Sequence, residues 1–219
     1  FTGDELSMPG EPLVEGGIYN SNRFVLRGLL HQLGCDVVDY GNVPDSYEAT
    51  LDAFRKASRK SDLILTSGGM SVGEADYIKP VVEALGHIDM WKIAVKPGKP
   101  VAKGEVNGVP FLGLPGNPVS SLVTFLIFAQ PLILKLSGRR DIEVKSYNLP
   151  LDFDWKGGSR REFIRVRRNE NGALEAYRTQ NSSVLTSCLW ADGLADIPAN
   201  ADLKKGDLVR YIPFSGFSL

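Results

Sequence analysis

Four short stretches of this sequence carry residue types suited to an anionic, metal-assisted substrate. They are Thr2-Gly3-Asp4-Glu5, Val43-Pro44-Asp45, Ser67-Gly68-Gly69-Met70-Ser71-Val72-Gly73-Glu74-Ala75-Asp76 and Leu114-Pro115-Gly116-Asn117-Pro118. Glycines let the backbone approach a ligand, and successive amides can cradle phosphate oxygens. The third stretch has neither the Gly-Lys-Ser/Thr ending of a P-loop nor a GxGxxG spacing, and Gly-Gly alone is also ordinary turn punctuation. Glu5, Asp45 and Asp76 all fall at expected strand-to-helix junctions, where together they can hold a hard cation such as magnesium. Helix capping is the competing explanation for Asp45 and Asp76, and a capping aspartate can still face a ligand. Lys92 precedes Lys96-Pro97-Gly98-Lys99-Pro100, where two prolines and a glycine restrict the loop. Ammonium groups held this way suit phosphate or oxyanion binding, although a solvated basic turn has the same composition. Taken jointly, acids, amides and lysines point to a phosphoanhydride or oxyanion site rather than to four unrelated turns.

The elements expected to position these loops follow from periodicity. Residues 20–34 read as a helix capped by Asn20 or Ser21, with Phe24, Val25, Leu29, Leu30 and Leu33 as its stripe and Gly34 as its stop. Residues 35–40 read as a short buried strand. Asp45-Ser46-Tyr47-Glu48 is a capping-box pattern ahead of a helix through Leu51, Phe54 and Ala57. Residues 63–66 form a second buried strand, and Asp76 is placed to cap a third helix ending at Gly86. This order predicts a parallel sheet with helices on both faces, and ligands in such sheets bind outside the carboxyl ends of the strands. Residues 89–95 read as a strand, and residues 101–105 with 109–114 as a hairpin turning at Asn107-Gly108. A long apolar helix then runs to about Gly138. Beyond Arg140 the pattern becomes short and alternating, as at 163–166 and 174–177 around Asn171-Gly172, which predicts a small all-β barrel or sandwich. The expected division is a three-layer αβα domain over residues 1–142 and a β domain over 143–219.

Composition narrows the function classes. The 219 residues are 43% hydrophobic and 23% charged with a net charge of −1, which fits a globular core and offers nothing that favours nucleic acid or an anionic membrane. Cys35 and Cys188 lie far apart with no CxxC spacing, favouring a reducing, cytoplasmic setting. His31 and His87 have no ligand-like neighbours, and no segment reads as a signal peptide or membrane span. Phe1 runs straight into a turn, as if a hydrophobic strand had been cut, so the chain reads as a fragment of a longer protein.

The motifs Thr2-Gly3-Asp4-Glu5-Leu6, residues 67–77, Lys96-Pro97-Gly98-Lys99-Pro100 and Gly113-Leu114-Pro115-Gly116-Asn117-Pro118-Val119-Ser120 occur in the order and spacing of the MoeA/gephyrin E-domain family, which the whole chain resembles. The resemblance implies a MogA-like molybdopterin-binding domain and a molybdopterin molybdenumtransferase activity. Such enzymes take adenylylated molybdopterin and molybdate, use magnesium or another divalent cation, and release AMP and molybdenum cofactor. It further implies catalytic roles for Asp45, Asp76, Lys92 and Lys96, and a metal site of Glu5, Asp45 and Asp76. Substrate contacts are implied for Glu5, Ser67, Gly68, Gly69, Ser71, Gly73, Pro115, Gly116, Asn117 and Pro118. The molybdate pocket carries over to Lys96, Lys99, Pro100, Ser120, Arg165 and Ser182, with Arg161 the nearest competitor for Arg165. Family members are homodimers with upstream domains that complete the site from the partner, so the chain is not expected to turn over alone. The adenylyltransferase and acceptor molybdoenzymes are the implied protein partners.

Three other readings compete. A molybdopterin adenylyltransferase of the MogA type has Thr-Gly-Gly-Thr-Gly where this chain has Ser67-Gly68-Gly69-Met70-Ser71, and lacks an appended β domain. A non-enzymatic scaffold related to the gephyrin E domain needs a peptide groove on the β domain. A CinA-type domain is disfavoured by the paired Lys-Pro-Gly-Lys-Pro and Leu-Pro-Gly-Asn-Pro motifs.

Overall fold

The computed structural model describes residues 1–13, 15–69 and 76–217. A two-residue parallel ribbon, β1 (Leu6–Ser7) with β2 (Ile18–Tyr19), leads into α1 (Ser21–Gln32). Then follow α2 (Tyr47–Ala57), β3 (Ile64–Ser67), α3 (Ile78–Leu85), β4 (Gly86–Trp91), β5 (Val95–Lys96), β6 (Ala102–Val106) and β7 (Val109–Leu114). Four of these strands form one sheet in the order β3-β7-β6-β4. The sheet is mixed. β3 and β7 run parallel, as expected from a helical crossover, whereas β6-β4 is antiparallel and so is β7-β6, where Asn107 (φ 49°) and Gly108 (φ 83°) make a two-residue hairpin turn.

Alternation along β7 divides the core into two layers. Leu112 and Leu114 pack with Leu26 of α1 and with Val119, Val123 and Leu126 on one face. Phe111 points the other way, against Phe54 of α2 and Ile78, Val81 and Val82 of α3. The result is the expected helix–sheet–helix sandwich. The first face is completed by a single rod: α4 (Pro118–Thr124), a π turn (Phe125–Ala129) and α5 (Gln130–Leu136). Pro131 has no N–H to offer the preceding turn, and the helix rewinds through the π turn just before it. This rod is long and apolar enough to cross a membrane, yet Val119, Val123, Phe125 and Ala129 are fully buried in the domain core.

Several local expectations are corrected. Residues 35–40 form no strand, because a strand needs a ladder. Among the described residues only Phe1 and Thr2 enter the slot between Val43 and Ser67, with Val43 N–H donating to Phe1 O and Thr2 N–H to Ser67 O. In α1 the inward residues are Asn22 and Leu26, while Phe24, about half a turn from Leu26, is 53% exposed. The cap of α2 is Ser46, whose Oγ accepts from Ala49 N–H, so the capping pattern starts one residue later than expected and Asp45 is left outside the helix. Likewise Tyr77 rather than Asp76 occupies the cap position of α3. β4 begins at Gly86, directly on the end of α3, since only a glycine there clears the Glu105 carbonyl of the adjoining strand.

The remainder is mostly β structure: β8 (Tyr147–Pro150), β9 (Trp155–Lys156), β10 (Arg161–Arg168), β11 (Leu174–Ala176), β12 (Gly193–Ile197), β13 (Asp202–Leu203) and β14 (Leu208–Pro213), with one short helix, α6 (Thr186–Trp190). Its main sheet runs β11-β10-β12-β14-β8, all antiparallel, while β9 and β13 pair separately. One face holds a core of its own, with Ile164, Val166, Ala195 and Ile197. The other contributes Phe163, Leu194 and Ile212 to the cluster around α1 and α4. β5, which lies outside the first sheet, pairs in parallel with β10, so backbone as well as apolar contact joins the two regions.

Candidate functional site

The carboxyl ends of the first sheet open into a cleft of about 750 Å³. It is walled by all four motif loops together with the start of α1. Among the expected residues, Glu5, Asp45, Ser67, Gly68, Gly69, Asp76, Pro100, Pro115, Gly116, Asn117, Pro118 and Ser120 line it. Ser71 and Gly73 lie outside the described residues.

Gly68 and Gly69 are required by proximity as much as by turning. Both have positive φ, and a Cβ on Gly69 would lie 2.7 Å from Thr2 Oγ1 and 3.4 Å from Asp76 Oδ1. The third loop therefore packs its bare backbone against the first loop and against Asp76. Ser67 is only 2% exposed and is committed internally: its Oγ accepts from Asn22 Nδ2 at 2.9 Å and donates to Pro115 O at 3.1 Å. Asn22 Nδ2 also reaches Gly116 O at 2.7 Å. One buried amide thus ties α1, the end of β3 and the fourth loop together.

The acidic wall is crowded. Asp4 N–H donates to Asp45 Oδ2 and Asp45 N–H to Asp4 Oδ1, each at 3.2 Å, which locks the first two loops together. Burial, together with the charges of Asp4 and Glu5, pushes the Asp45 carboxyl above the usual range despite the hydrogen bond from Asp4 N–H. Glu5 folds back over Gly3, and Asp76 is half-buried across from Gly69. Among the described residues, no three acidic, cysteine or histidine side chains converge closely enough to enclose an ion on their own.

The basic residues are disposed differently. Lys92, Lys96 and Lys99 are exposed and none lines the cleft, although Lys99 adjoins Pro100, which does. Lys92 holds a left-handed backbone (φ 94°), fixed by Lys92 N–H to Val101 O and Ile93 N–H to Lys99 O. Lys96 pairs with the buried Glu162 at 3.4 Å.

Arg165 is 1% exposed. Its guanidinium donates to Ser187 Oγ and to the carbonyls of Asn181 and, more loosely, Thr179, and among the described residues it has no carboxylate partner. Burial lowers its pKa. Arg165 does not itself line the cleft. It anchors the 179–183 loop, whose Ser182 carbonyl accepts from Val119 N–H at the start of α4 and whose Ser183 Oγ meets Asn117 Oδ1 at 3.4 Å. Ser183, rather than Ser182, is the residue of this loop that lines the cleft. By contrast, Arg161 is spent on a bidentate pair with Asp196, which Arg210 also approaches.

Tyr19, Asn20, Asn22 and Ser183 line the site without having been read from sequence as site residues. For Asn20-Ser21-Asn22 a signal existed, but as a capping run it pointed to the helix rather than to the cleft.

Comparison with known proteins agrees with this architecture. Residues 1–135 match the family described as "Probable molybdopterin binding domain", and residues 148–214 match the MoeA C-terminal region, domain IV. A molybdopterin molybdenumtransferase from Haemophilus influenzae is 52% identical over 139 residues, covering 64% of this chain and 34% of that protein. The Drosophila melanogaster molybdenum cofactor synthesis protein cinnamon is 36% identical over 204 residues, covering 90% and 34%. The crystal structure of a molybdopterin biosynthesis MoeA protein from Pyrococcus horikosii superposes with a TM-score of 0.83 at 32% identity, covering 97% of this chain and 52% of that one. The chain spans about a third of the length of these two curated relatives. With more than half of its length matched by the family model, the chain belongs to the molybdopterin-binding domain family, here joined to a MoeA-type C-terminal region.

Proposed function

We propose that this chain supplies the catalytic cleft of a molybdopterin molybdenumtransferase, in which molybdate is inserted into adenylylated molybdopterin and AMP is released. The observation that carries this reading is the junction at the mouth of the cleft. There, crowded carboxylates and bare glycine backbone lie on one side, and a loop held by a guanidinium that has no carboxylate counter-ion among the described residues closes on α4 from the other. The MoeA C-terminal match supports a molybdenumtransferase over an adenylyltransferase that lacks this region.

In this reading Glu5, Asp45 and Asp76 would share a hard divalent cation such as magnesium with the substrate's phosphate oxygens, since the three carboxylates do not enclose an ion on their own. The Asp45 carboxyl is raised first by burial and then by the charges of Asp4 and Glu5, a setting that a bound cation would relieve. When bound, such a cation polarises a phosphoanhydride oxygen. The backbone of Gly68 and Gly69 leaves room for the phosphates to approach. Lys92 and Lys96 offset phosphate charge from the rim, while Lys99, Pro100, Ser120 and Ser182 frame the molybdate. Arg165 contributes charge and holds the frame. Family likeness adds a homodimer, a cytoplasmic setting and contact with the adenylyltransferase and acceptor molybdoenzymes.

The test is AMP release from adenylylated molybdopterin on addition of molybdate, using the full-length enzyme that contains this chain. Asp76→Asn should lower it by about 100-fold or more, the loss of several kcal/mol of charge stabilisation, with the melting temperature preserved. Undiminished AMP release by the folded variant would reduce Asp76 to a residue of the helix entry.

A further inference from the structure

Glu162 is a buried carboxylate that the chemistry above leaves unused. It sits on β10 and is 2% exposed. Its Oε1 accepts from Gly158 N–H at 2.9 Å, and its Oε2 accepts from Lys96 Nζ at 3.4 Å. Among the described residues, Lys96 is the only cation within ion-pairing distance of it. A carboxylate this deep is costly without a positive partner. The protein therefore needs the ammonium here for its own stability, before any ligand is considered. Neither Glu162 nor Lys96 lines the cleft. The ion pair thus holds the ammonium off the cleft rather than pointing it in.

The backbone beneath this lysine is fixed from two sides. On one, β5 pairs with β10 and sets Lys96 opposite Glu162. On the other, Gly98 lays bare backbone on α4, where a Cβ would come within 2.3 Å of Thr124 Cγ2. Pro100 of the same loop and Ser120 of the same helix both line the cleft, so the tethered ammonium stands close to its wall. What is free to move is the side chain. It is 46% exposed, and a lysine carries its charge on a flexible four-carbon stem.

We propose that Glu162 is a positioning residue that competes with the substrate oxyanion for the Lys96 ammonium. The lysine rests on the Glu162 carboxylate until an oxyanion bound in the cleft draws it away, and the loop need not move. The inference rests on the molybdenumtransferase reading and deepens it, because the affinity for the oxyanion is then set by a residue outside the cleft. An anion gains the lysine only by leaving a buried carboxylate short of its partner. Molybdate and the substrate phosphate are both tetrahedral oxyanions, so the class is assigned here and the experiment separates the two.

The experiment is equilibrium binding of molybdate and, separately, of AMP to the full-length enzyme that contains this chain. Glu162→Gln keeps an acceptor for Gly158 N–H and turns an amide NH2 towards Lys96, so the fold should survive, as the melting temperature will show. It should tighten one of the two anions about tenfold, a gain between the values of an exposed ion pair and of a charged hydrogen bond. Tightening of molybdate alone assigns the lysine to molybdate, and tightening of AMP alone assigns it to the phosphate. In a Lys96→Ala background the same substitution should change either affinity less than twofold. Glu162→Asp, one methylene shorter, should shift affinity in the same direction by a smaller factor, and serves if the glutamine variant does not fold. Unchanged or weaker binding in Glu162→Gln would overturn the competition and leave the proposed function standing. So would a gain that persists without Lys96. A wild-type enzyme that binds neither molybdate nor AMP would overturn both.

Discussion

Asp45 in the cleft and Asp152 and Asp154 in the β region are the same residue type in opposite electrostatic settings. Burial and the neighbouring Asp4 and Glu5 push Asp45 up. Asp152 is held down by the Lys205 side chain, and Asp154 by the Lys205 backbone N–H and the Lys204 ammonium. The arginines divide the same way: Arg161 is neutralised by Asp196, whereas Arg165 is buried and, among the described residues, its guanidinium donates to carbonyls and a hydroxyl rather than to a carboxylate. The β region settles its charges internally, and the cleft and its closing loop do not. Unsettled charge of both signs, on the cleft wall and behind its closing loop, is what a substrate and a cation would resolve.

The arginine pair offers the strongest way to break this contrast. Arg165→Ala in the full-length enzyme should weaken molybdate binding, measured by isothermal titration, by about 1.5–3 kcal/mol, because the 179–183 loop loses the charge-assisted hydrogen bonds that hold it at the cleft. Arg161→Ala should do far less, because its guanidinium already belongs to Asp196. Equal and small losses would place the oxyanion elsewhere.

The acidic wall gives a smaller, pH-dependent effect. A carboxyl whose folded pKa lies above its unfolded value costs stability when both states are ionised. That cost is relieved as pH falls through the folded pKa towards the ordinary value of 3.8. Asp45→Asn should therefore raise the melting temperature of the cation-free chain at neutral pH, and the gain should fade as the pH is lowered. Magnesium should stabilise the wild-type chain more than the variant. A gain that persists unchanged at acid pH would mean that charge crowding is not its cause.

The settled region should respond least. Lys204→Ala and Lys205→Ala remove exposed ion pairs with Asp154 and Asp152, and the melting temperature should stay within about a degree, as is usual for surface pairs. A drop comparable to that of a core substitution would erase the contrast between the regions.

Features encoded by short-range chemistry could be read from the sequence. The Asn107-Gly108 turn, the glycine loop after β3 and the change of pattern beyond residue 140 all depend on residues a few positions apart. Features that depend on distant partners could not. Residues 35–40 have a strand's composition but no ladder, and the inward face of α1 is chosen by Ser67 and Gly116 through Asn22 rather than by its largest apolar side chains. In the site, the motifs identified the cleft's walls, while the burial of Arg165 and the exposure of the three lysines followed only from how the β sheet docks.

The pairing of β5 with β10 makes Lys96 a passenger of both halves. Its backbone is stitched to Glu162 in the second sheet and its ammonium reaches the Glu162 carboxylate, yet its loop returns to the first core through Pro100 and Val101. A tilt of the β sheet would therefore carry this lysine and the 179–183 loop together, as two points on one lever. Substitutions at Lys96 and Arg165 should then be non-additive in a double-mutant cycle, although one residue is exposed on a rim and the other buried behind a loop.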